Sequence, residues 1–547
     1  MMSSAITHLR RARWLAVVVI ACAAVVLRAG AIDRQGLWLD EVFSLAMATG
    51  HSLEHPASVA DPSLGDFVEG VEPLSPEAFR RYSEHETPAA GALRVIRAVR
   101  LSDTSPPLYY LLLNRWLRHT GSGDVALRLF SLLWGLACLP LLWSLAHQVA
   151  GRAAAVHASV FFAFAPVAVL YSIEGRMYSM LWFLVLATAW LALRLHALGP
   201  HVGAILLLVA VSTAGLLTHY FYTFVWAAIG VWLFWQPGKL DRRLVVVTMA
   251  MAGVLALPWY LAAVDSDANW RITKGWLEVP RYRYRAAAVP FELAFHFFSN
   301  TPGGRVIPPP MRWVAVCLAV VTAAAGWRLG AWIVTGRRAM LWLWVGAACL
   351  GPAVVDLALD TYAGAVPRYA LAGLPAAFLI VAAGLSRLSP RVQAVAGCVI
   401  VLAWIPGLRG IYTDVSRGNS PLREMAHVVN ERNGSGDLML VQSIPSGVVG
   451  LARYLEKPIP MAAWVGQLGQ RRVPDDLERL AAGHRRIVLV QSRANGTSEP
   501  EHELLERAFL VRETRIEGSR MLEFEPRGGN AFFGRGHLGT APGSSSK

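Results

Sequence analysis

A chain of 547 residues that is 55% apolar and only 16% charged holds too little charge for a soluble globular protein, where about a quarter of residues are charged. Its length accommodates about ten spans of roughly 20 residues each and a small soluble unit besides. The net charge of +14 would suit nucleic acid, but much of the basic excess falls in short links between apolar runs, where it orients a membrane protein; nucleic acid is therefore excluded as a partner.

A basic stretch, His8 to Arg13, precedes an apolar run from Trp14 to Ala31. The residues Arg28-Ala-Gly-Ala31 make a poor cleavage site, so this run reads as an uncleaved first helix. Apolar runs then mark spans at 14–32, 127–150, 153–171, 178–197, 202–218, 219–236, 244–263, 311–335, 339–358, 366–386 and 392–410, about eleven in all. The run 202–236 divides at a tight turn near His219, and 106–117 is too short to span and reads as an interfacial or re-entrant helix. Short basic links at Gly151-Arg152, Arg194 to His201, Lys239 to Arg243, Arg337-Arg338 and Arg387 to Arg391 identify the cytoplasmic side, with the N-terminus on it. The opposite side then receives 33–126, 172–177, the bend near 219, 264–310, 359–367 and everything after 411.

Beyond the spans the character changes. Residues 411–525 are mixed and polar, with strand-like runs Asp437 to Val441 and Arg486 to Val490 and helical patterns between them, so a small α/β domain outside the membrane is expected. The tail 526–547 is rich in Gly and Ser and reads as disordered. Cys22, Cys138, Cys317, Cys349 and Cys398 all lie in apolar runs, with neither metal spacing nor a disulfide framework. No internal repeat of the transporter kind is present.

The residues able to carry chemistry lie on the expected outer side. Trp38-Leu-Asp-Glu41 puts two carboxylates beside an interfacial Trp, where a carboxylate could take a hydroxyl proton; an ordinary solvated loop is the plain alternative. Ser105-Pro106-Pro107-Leu-Tyr109-Tyr110 starts the short aromatic helix. Tyr171-Ser-Ile-Glu174-Gly-Arg176-Met-Tyr178 forms a tight bend whose Glu174 and Arg176 serve a site or merely close the bend as an ion pair. Leu217-Thr-His219-Tyr220 sets an imidazole at a helix end. Ionisable groups at membrane depth are costly and therefore pair or function.

With Arg368-Tyr369 before Leu374-Pro375, these five elements occur in an order that resembles the GT-C glycosyltransferases, within them the glycosyltransferase 39-like group related to protein mannosyltransferases and to the aminoarabinose transferase of lipid A. The resemblance spans about residues 10–460 and implies a GT-C fold on residues 1–410, with outer loops 33–126 and 264–310. It implies an inverting enzyme that takes a sugar from a polyprenyl-phosphate donor and gives it to a lipid, glycan or protein acceptor. Carried over residue by residue, the base is one of the acidic pair, Asp40 ahead of Glu41, with Glu41 otherwise assisting or binding substrate; Glu174 is the second acidic group, near donor or acceptor, and Arg176, His219, Tyr220 and Arg368 meet the donor and its phosphate, where arginine offers a bidentate fit. Pro106, Pro107, Tyr109, Tyr178 and Tyr369 line the substrate pocket. No cofactor is implied, and nothing indicates a divalent cation. Many relatives carry His where this chain has Ser105, so an imidazole role there is absent or moved.

Weaker signals belong to plain loops. Asp265-Ser-Asp267 matches a metal-holding D-x-D pattern on the side where nucleotide sugars are not available. Arg281-Tyr-Arg-Tyr-Arg285, with Arg271 and Lys274, suits anionic headgroups, and Asp356 with Asp360 reads as a solvated rim. Two other classes compete: a polysaccharide ligase or polymerase using a lipid-diphosphate donor, and a lipid flippase or transporter. The acidic pair favours transfer, and the absence of midplane charges and of a repeat disfavours transport.

Overall fold

The computed structural model describes residues 17–55, 57–102, 105–236, 238–264, 295–299, 316–321, 324, 336–359, 361, 363–414, 420–465, 475–492, 499–527 and 532. The His8–Arg13 stretch, the D-x-D pair, Arg271, Lys274, the 281–285 stretch, Asp360, most of the 311–335 run and nearly all of the tail lie outside them. The chain divides into two compact units, one of residues 1–34 and 99–414, the other of residues 35–98 and 415–547. This differs from the expected division, which kept the whole loop 33–126 with the membrane part.

The first unit is helical because its apolar runs can satisfy backbone polar groups in lipid only within a helix. Six described helices are long and apolar enough to cross a membrane: Asp124–Phe164, Tyr178–Leu198, Arg242–Ala262, Arg337–Leu359, Pro367–Leu385 and Pro390–Thr413. Three shorter apolar helices, Val17–Ala29, Val202–Leu216 and Tyr222–Trp235, accompany them. At 41 residues, Asp124–Phe164 would be about 60 Å long if straight, twice the hydrocarbon thickness. Gly151, at φ 83°, breaks it at the expected Gly-Arg link, and the chain doubles back, since a β-carbon on Gly135 would meet Ser172 Oγ at 2.7 Å. A second break, at Pro166, has its own remedy. Proline offers no N–H to the Phe162 carbonyl four residues earlier, and buried Arg28 fills in, donating to Phe162 O at 2.7 Å and Ala163 O at 3.0 Å.

The second unit is built on a five-stranded sheet in the order β2-β1-β3-β5-β4. Its strands are β1 (Asp437–Gln442), β2 (Met461–Ala463), β3 (Arg486–Ser492), β4 (Ala508–Ile516) and β5 (Ser519–Pro526). The two expected strands, β1 and β3, pair in parallel from Asp437↔Arg486 to Gln442↔Gln491, while β3, β5 and β4 are antiparallel. Leu438, Leu440, Ile487, Leu489, Leu522 and Phe524 form the core of one face. Residues 35–98 complete this unit. Leu74 and Met461 exchange backbone hydrogen bonds of 2.8 Å at the β2 edge, Glu69 accepts from Val465 N at 2.9 Å, and Arg80 caps the end of the Pro445–Tyr454 helix through Ala452 O at 2.9 Å. Glycines set the helix packing: a β-carbon on Gly447 would lie 3.4 Å from Leu39, and one on Gly450 3.0 Å from Val42. The helices Leu39–Thr49 and Pro445–Tyr454 therefore lie side by side in the same direction, with their N-termini together.

Candidate functional site

In the membrane unit the expected residues gather at one end of the bundle. Pro107 precedes the Leu108–Thr120 helix, and Leu108 N donates to Leu217 O at 2.9 Å, bringing the Pro106-Pro107 turn beside the Leu217–Tyr220 turn. His219 lies with its ring centroid 5.9 Å from Tyr178 and 6.4 Å from Tyr369. Phe221 stacks on Tyr369 at 4.8 Å, and Tyr220 accepts from Trp259 Nε1 at 3.0 Å. The Arg368 guanidinium sits over the Tyr369 ring at 6.0 Å, and Arg368, Arg176 and Glu174 are near enough to Tyr178 to act on its phenol electrostatically. The basic links occupy the other end, where Lys239 N bonds His196 O at 3.2 Å and Arg337 bonds Gln148 O at 3.2 Å.

Local forces fix this arrangement. Glu174 and Arg176 are 3% and 8% exposed on a bend that closes through Arg176 N to Glu174 O at 2.7 Å. Gly175 is required there, because a β-carbon would lie 2.5 Å from Leu127. Ser131 anchors the bend by donating to Arg176 O at 3.1 Å and receiving Ser179 Oγ on its carbonyl at 2.7 Å. Tyr109 is fully buried with its hydroxyl 3.0 Å from Ser131 Oγ, the residue that anchors the bend. Its neighbour Tyr110, part of the expected motif but given no role of its own there, accepts from Arg176 Nη1 at 3.2 Å.

The 3₁₀ segment Pro367–Gly373 carries Arg368 and Tyr369. Buried indoles hold its carbonyls: Trp182 Nε1 to Leu371 O at 2.7 Å and Trp344 Nε1 to Ala372 O at 2.6 Å. Asp356 is a structural carboxylate and not the solvated rim the sequence suggested. It accepts from Thr361 Oγ1 at 3.0 Å, Ala363 N at 2.5 Å and Gly364 N at 2.8 Å, pinning the approach to Arg368.

In the second unit, Asp40 and Glu41 occupy the first turn of Leu39–Thr49, where the helix dipole favours carboxylates. Their environments differ. Glu41 is fully buried and its Oε2 accepts from Trp38 N at 3.3 Å, half of a capping box. Asp40 is the one residue of that helix not buried. Following the helix, His51 lies with Nδ1 3.0 Å from Thr49 Oγ1 and Nε2 3.2 Å from Glu86 Oε1. Burial pushes the His51 imidazole down to about 4, against the pull of Glu86. The Arg94 hydrogen bond holds Glu86 down to about 2. Among the described residues no three His, Cys, Asp or Glu side chains gather to hold a metal ion.

Residues 104–261 match the family model for dolichyl-phosphate-mannose-protein mannosyltransferase. Among curated proteins no sequence matches. Among solved structures the chain is similar to ArnT from Cupriavidus metallidurans in the apo state, at 14% identity and a TM-score of 0.55, covering 93% of this chain and 97% of that one. It is similar also to the same protein bound to undecaprenyl phosphate, at 15% identity and 0.56, covering 94% and 98%. A looser likeness, TM-score 0.48 at 14% identity, is to the oligosaccharyltransferase from Archaeoglobus fulgidus in the apo form, covering 87% of this chain and 69% of that one. The chain has the GT-C fold of membrane glycosyltransferases.

Proposed function

We propose that this GT-C chain is an inverting glycosyltransferase of the cytoplasmic membrane, taking one sugar from a polyprenyl phosphate at the outer face. The observation that carries the reading is the gathering of Arg176, Arg368, His219, Tyr178 and Tyr369 at the end of the bundle away from the basic links. Read by the positive-inside rule, the basic end is cytoplasmic and the gathered residues are on the outer side.

Each unit takes its own part of the reaction. Arg176, His219 and Arg368 bind the lipid phosphate, where a guanidinium pairs with two phosphate oxygens, and Tyr110 keeps the guanidinium of Arg176 oriented. Tyr178, Tyr220 and Tyr369 offer aromatic faces to the sugar and the first isoprene. Asp40 takes the proton of the acceptor hydroxyl as its oxygen attacks the anomeric carbon; the anomeric C–O bond breaks and the polyprenyl phosphate leaves with the electron pair. Glu41, engaged in capping, supports Asp40 by fixing the helix start. A single displacement inverts the anomeric centre and needs no covalent intermediate.

The test uses purified protein in lipid nanodiscs with radiolabelled polyprenyl-phosphate sugars. Asp40→Asn is expected to bind donor as wild type does and to lower transfer at least 100-fold, the range of a lost general base; Arg176→Ala is expected to lose donor binding. Full activity of Asp40→Asn would remove Asp40 from the mechanism, and donor binding untouched by Arg176→Ala and Arg368→Ala would remove the phosphate site.

A further inference from the structure

The turn that carries His219 is held from several directions. Helix Val202–Leu216 ends at it and helix Tyr222–Trp235 begins after it. The last four carbonyls of the first helix need donors from outside its regular ladder, and each has one. Thr213 O accepts from Leu217 N at 2.9 Å, and Gly215 O from Thr218 N at 3.0 Å and His219 N at 3.2 Å. Ala214 O accepts from Thr218 Oγ1 at 2.7 Å, and Leu216 O from the Tyr260 hydroxyl at 3.1 Å. Tyr260 also stands edge-on to Tyr220, with ring centroids 5.4 Å apart, and its neighbour Trp259 donates to the Tyr220 hydroxyl. The second helix then opens with a donor to place, because N–H groups at a helix start lack intrahelical partners. Its N-cap, Phe221, makes no side-chain capping bond. Phe221 N donates instead to His219 Nδ1 at 3.2 Å.

That one bond decides where the imidazole carries its hydrogen. A backbone N–H can only donate, so Nδ1 must present a lone pair to it. A neutral imidazole with an acceptor Nδ1 has its hydrogen on Nε2, and an imidazolium has no acceptor nitrogen at all. Either protonation or the other tautomer would set N–H against N–H. We infer that His219 acts as a neutral hydrogen-bond donor, through Nε2–H, to a phosphate oxygen of the sugar lipid, and not as an acid or base. Phe221 N–H, Trp259 and Tyr260 are the positioning groups. The charges nearby suit this state. Arg176 and Arg368 bring two positive charges close to Tyr178 and Glu174 one negative. A sugar phosphodiester, with its single negative charge, balances that set, whereas an imidazolium would add a cation among guanidiniums. This deepens the donor-site reading proposed above and rests on it.

Full-length protein carrying isotopically labelled histidine is studied in nanodiscs by magic-angle-spinning NMR, with the His219 signals identified as those missing from His219→Asn. One protonated and one bare ring nitrogen are expected, the bare one being Nδ1. Binding of methyl undecaprenyl phosphate, a phosphodiester of single negative charge, is titrated in parallel. His219→Asn can still accept from Phe221 N through its carboxamide oxygen, as an Asx-turn does, so its melting temperature should hold. It lacks the distal donor, however, and should bind about tenfold more weakly, the loss expected of a hydrogen bond to a charged group. His219→Gln brings an amide N–H to the distal position; it should bind nearly as wild type does while melting at a lower temperature, having lost the turn. A structural role alone reverses that order, with His219→Asn binding as wild type and His219→Gln the weaker. Wild-type affinity in His219→Asn overturns the inference, as does a proton on Nδ1. If wild type itself binds no phosphodiester, the donor-site reading falls, whichever tautomer the spectrum shows.

Discussion

Removing one oxygen tests whether Arg176 is held for binding. Tyr110 is fully buried, its ring set edge-on to Tyr109 at a centroid distance of 5.4 Å, and its hydroxyl accepts from Arg176 Nη1 at 3.2 Å. Tyr110→Phe keeps the ring volume and removes only that acceptor. A hydrogen bond to a charged group contributes about 1.5–3 kcal/mol; 3.2 Å lies at the long end of the usual range, so the lower figure applies. About 1.5 kcal/mol is a factor of about ten, and it falls on the fraction of molecules whose guanidinium is aimed for phosphate. Isothermal titration of undecaprenyl phosphate into nanodisc-embedded protein should therefore give a Kd about tenfold weaker for Tyr110→Phe. The same substitution on an Arg176→Ala background should change nothing further, since a double-mutant cycle isolates the pair. A Kd within twofold of wild type, or additive effects in the cycle, would refute the argument that Tyr110 acts through Arg176.

Asp356→Asn leaves Gly364 N–H without its acceptor and weakens two other bonds. At a half-exposed site this costs about 2 kcal/mol, and hydrogen exchange at Ala363 and Gly364 should quicken about 30-fold; unchanged exchange would return Asp356 to a solvated rim. Arg28→Met strips Phe162 O and Ala163 O of their donors at about 1–3 kcal/mol each, so denaturant unfolding in micelles should show a loss of about 3 kcal/mol or more, and none if water replaces the guanidinium. The His51 imidazole, lowered from 6.5 to about 4 in the fold, stays neutral where the unfolded chain takes up a proton. Stability is therefore complete above pH 6.5 and falls as the pH drops from 6.5 to 4, by up to about 3 kcal/mol at 1.36 kcal/mol per unit. Exchange protection of Leu39–Thr49 should follow that slope, and His51→Gln should flatten it.

How far the sequence carried depended on the solvent of each element. The helices of the membrane unit were legible because lipid allows a long apolar run few other conformations, and the Gly151 break announced itself as a Gly-Arg link. Strands β1 and β3 were legible as apolar runs between polar turns. The β4–β5 hairpin was missed although Ala508 to Pro526 alternates in part around Glu517-Gly518, because apolar Phe509, Leu510 and Val511 in sequence blur the period of two. The union of residues 35–98 with the sheet was not legible at all. It rests on backbone pairing of Leu74 with Met461 and on the Arg80 guanidinium reaching Ala452 O, contacts onto backbone groups that leave no composition signal. Yet a loop of such length outside any span needs a core of its own, and the apolar helix Leu39–Thr49 was the sign of one. The partner of Arg176 was not legible for a related reason: one residue turns a helix by about 100°, and only the packing of Leu108–Thr120 decides that the Tyr110 phenol meets that guanidinium.

The difference between Asp40 and Glu41 bears on which of them serves as the base proposed above. Two adjacent carboxylates at a helix start are equivalent as acids and are both favoured by the dipole. Helix geometry separates them, because the third helical residue is the one whose side chain can return to the N-cap amide. Glu41 holds that position and has the longer reach, so its charge is spent on Trp38 N–H inside the unit. Asp40, one residue earlier and one methylene shorter, does not hold that position and is the one residue of the helix left partly exposed. A base must exchange protons with a water-borne acceptor, and a capping carboxylate must not, since protonation would release the helix start. The order Asp-Glu thus couples a rigid helix terminus to an accessible carboxylate, whereas Glu-Asp would put the shorter side chain where the cap needs the longer one.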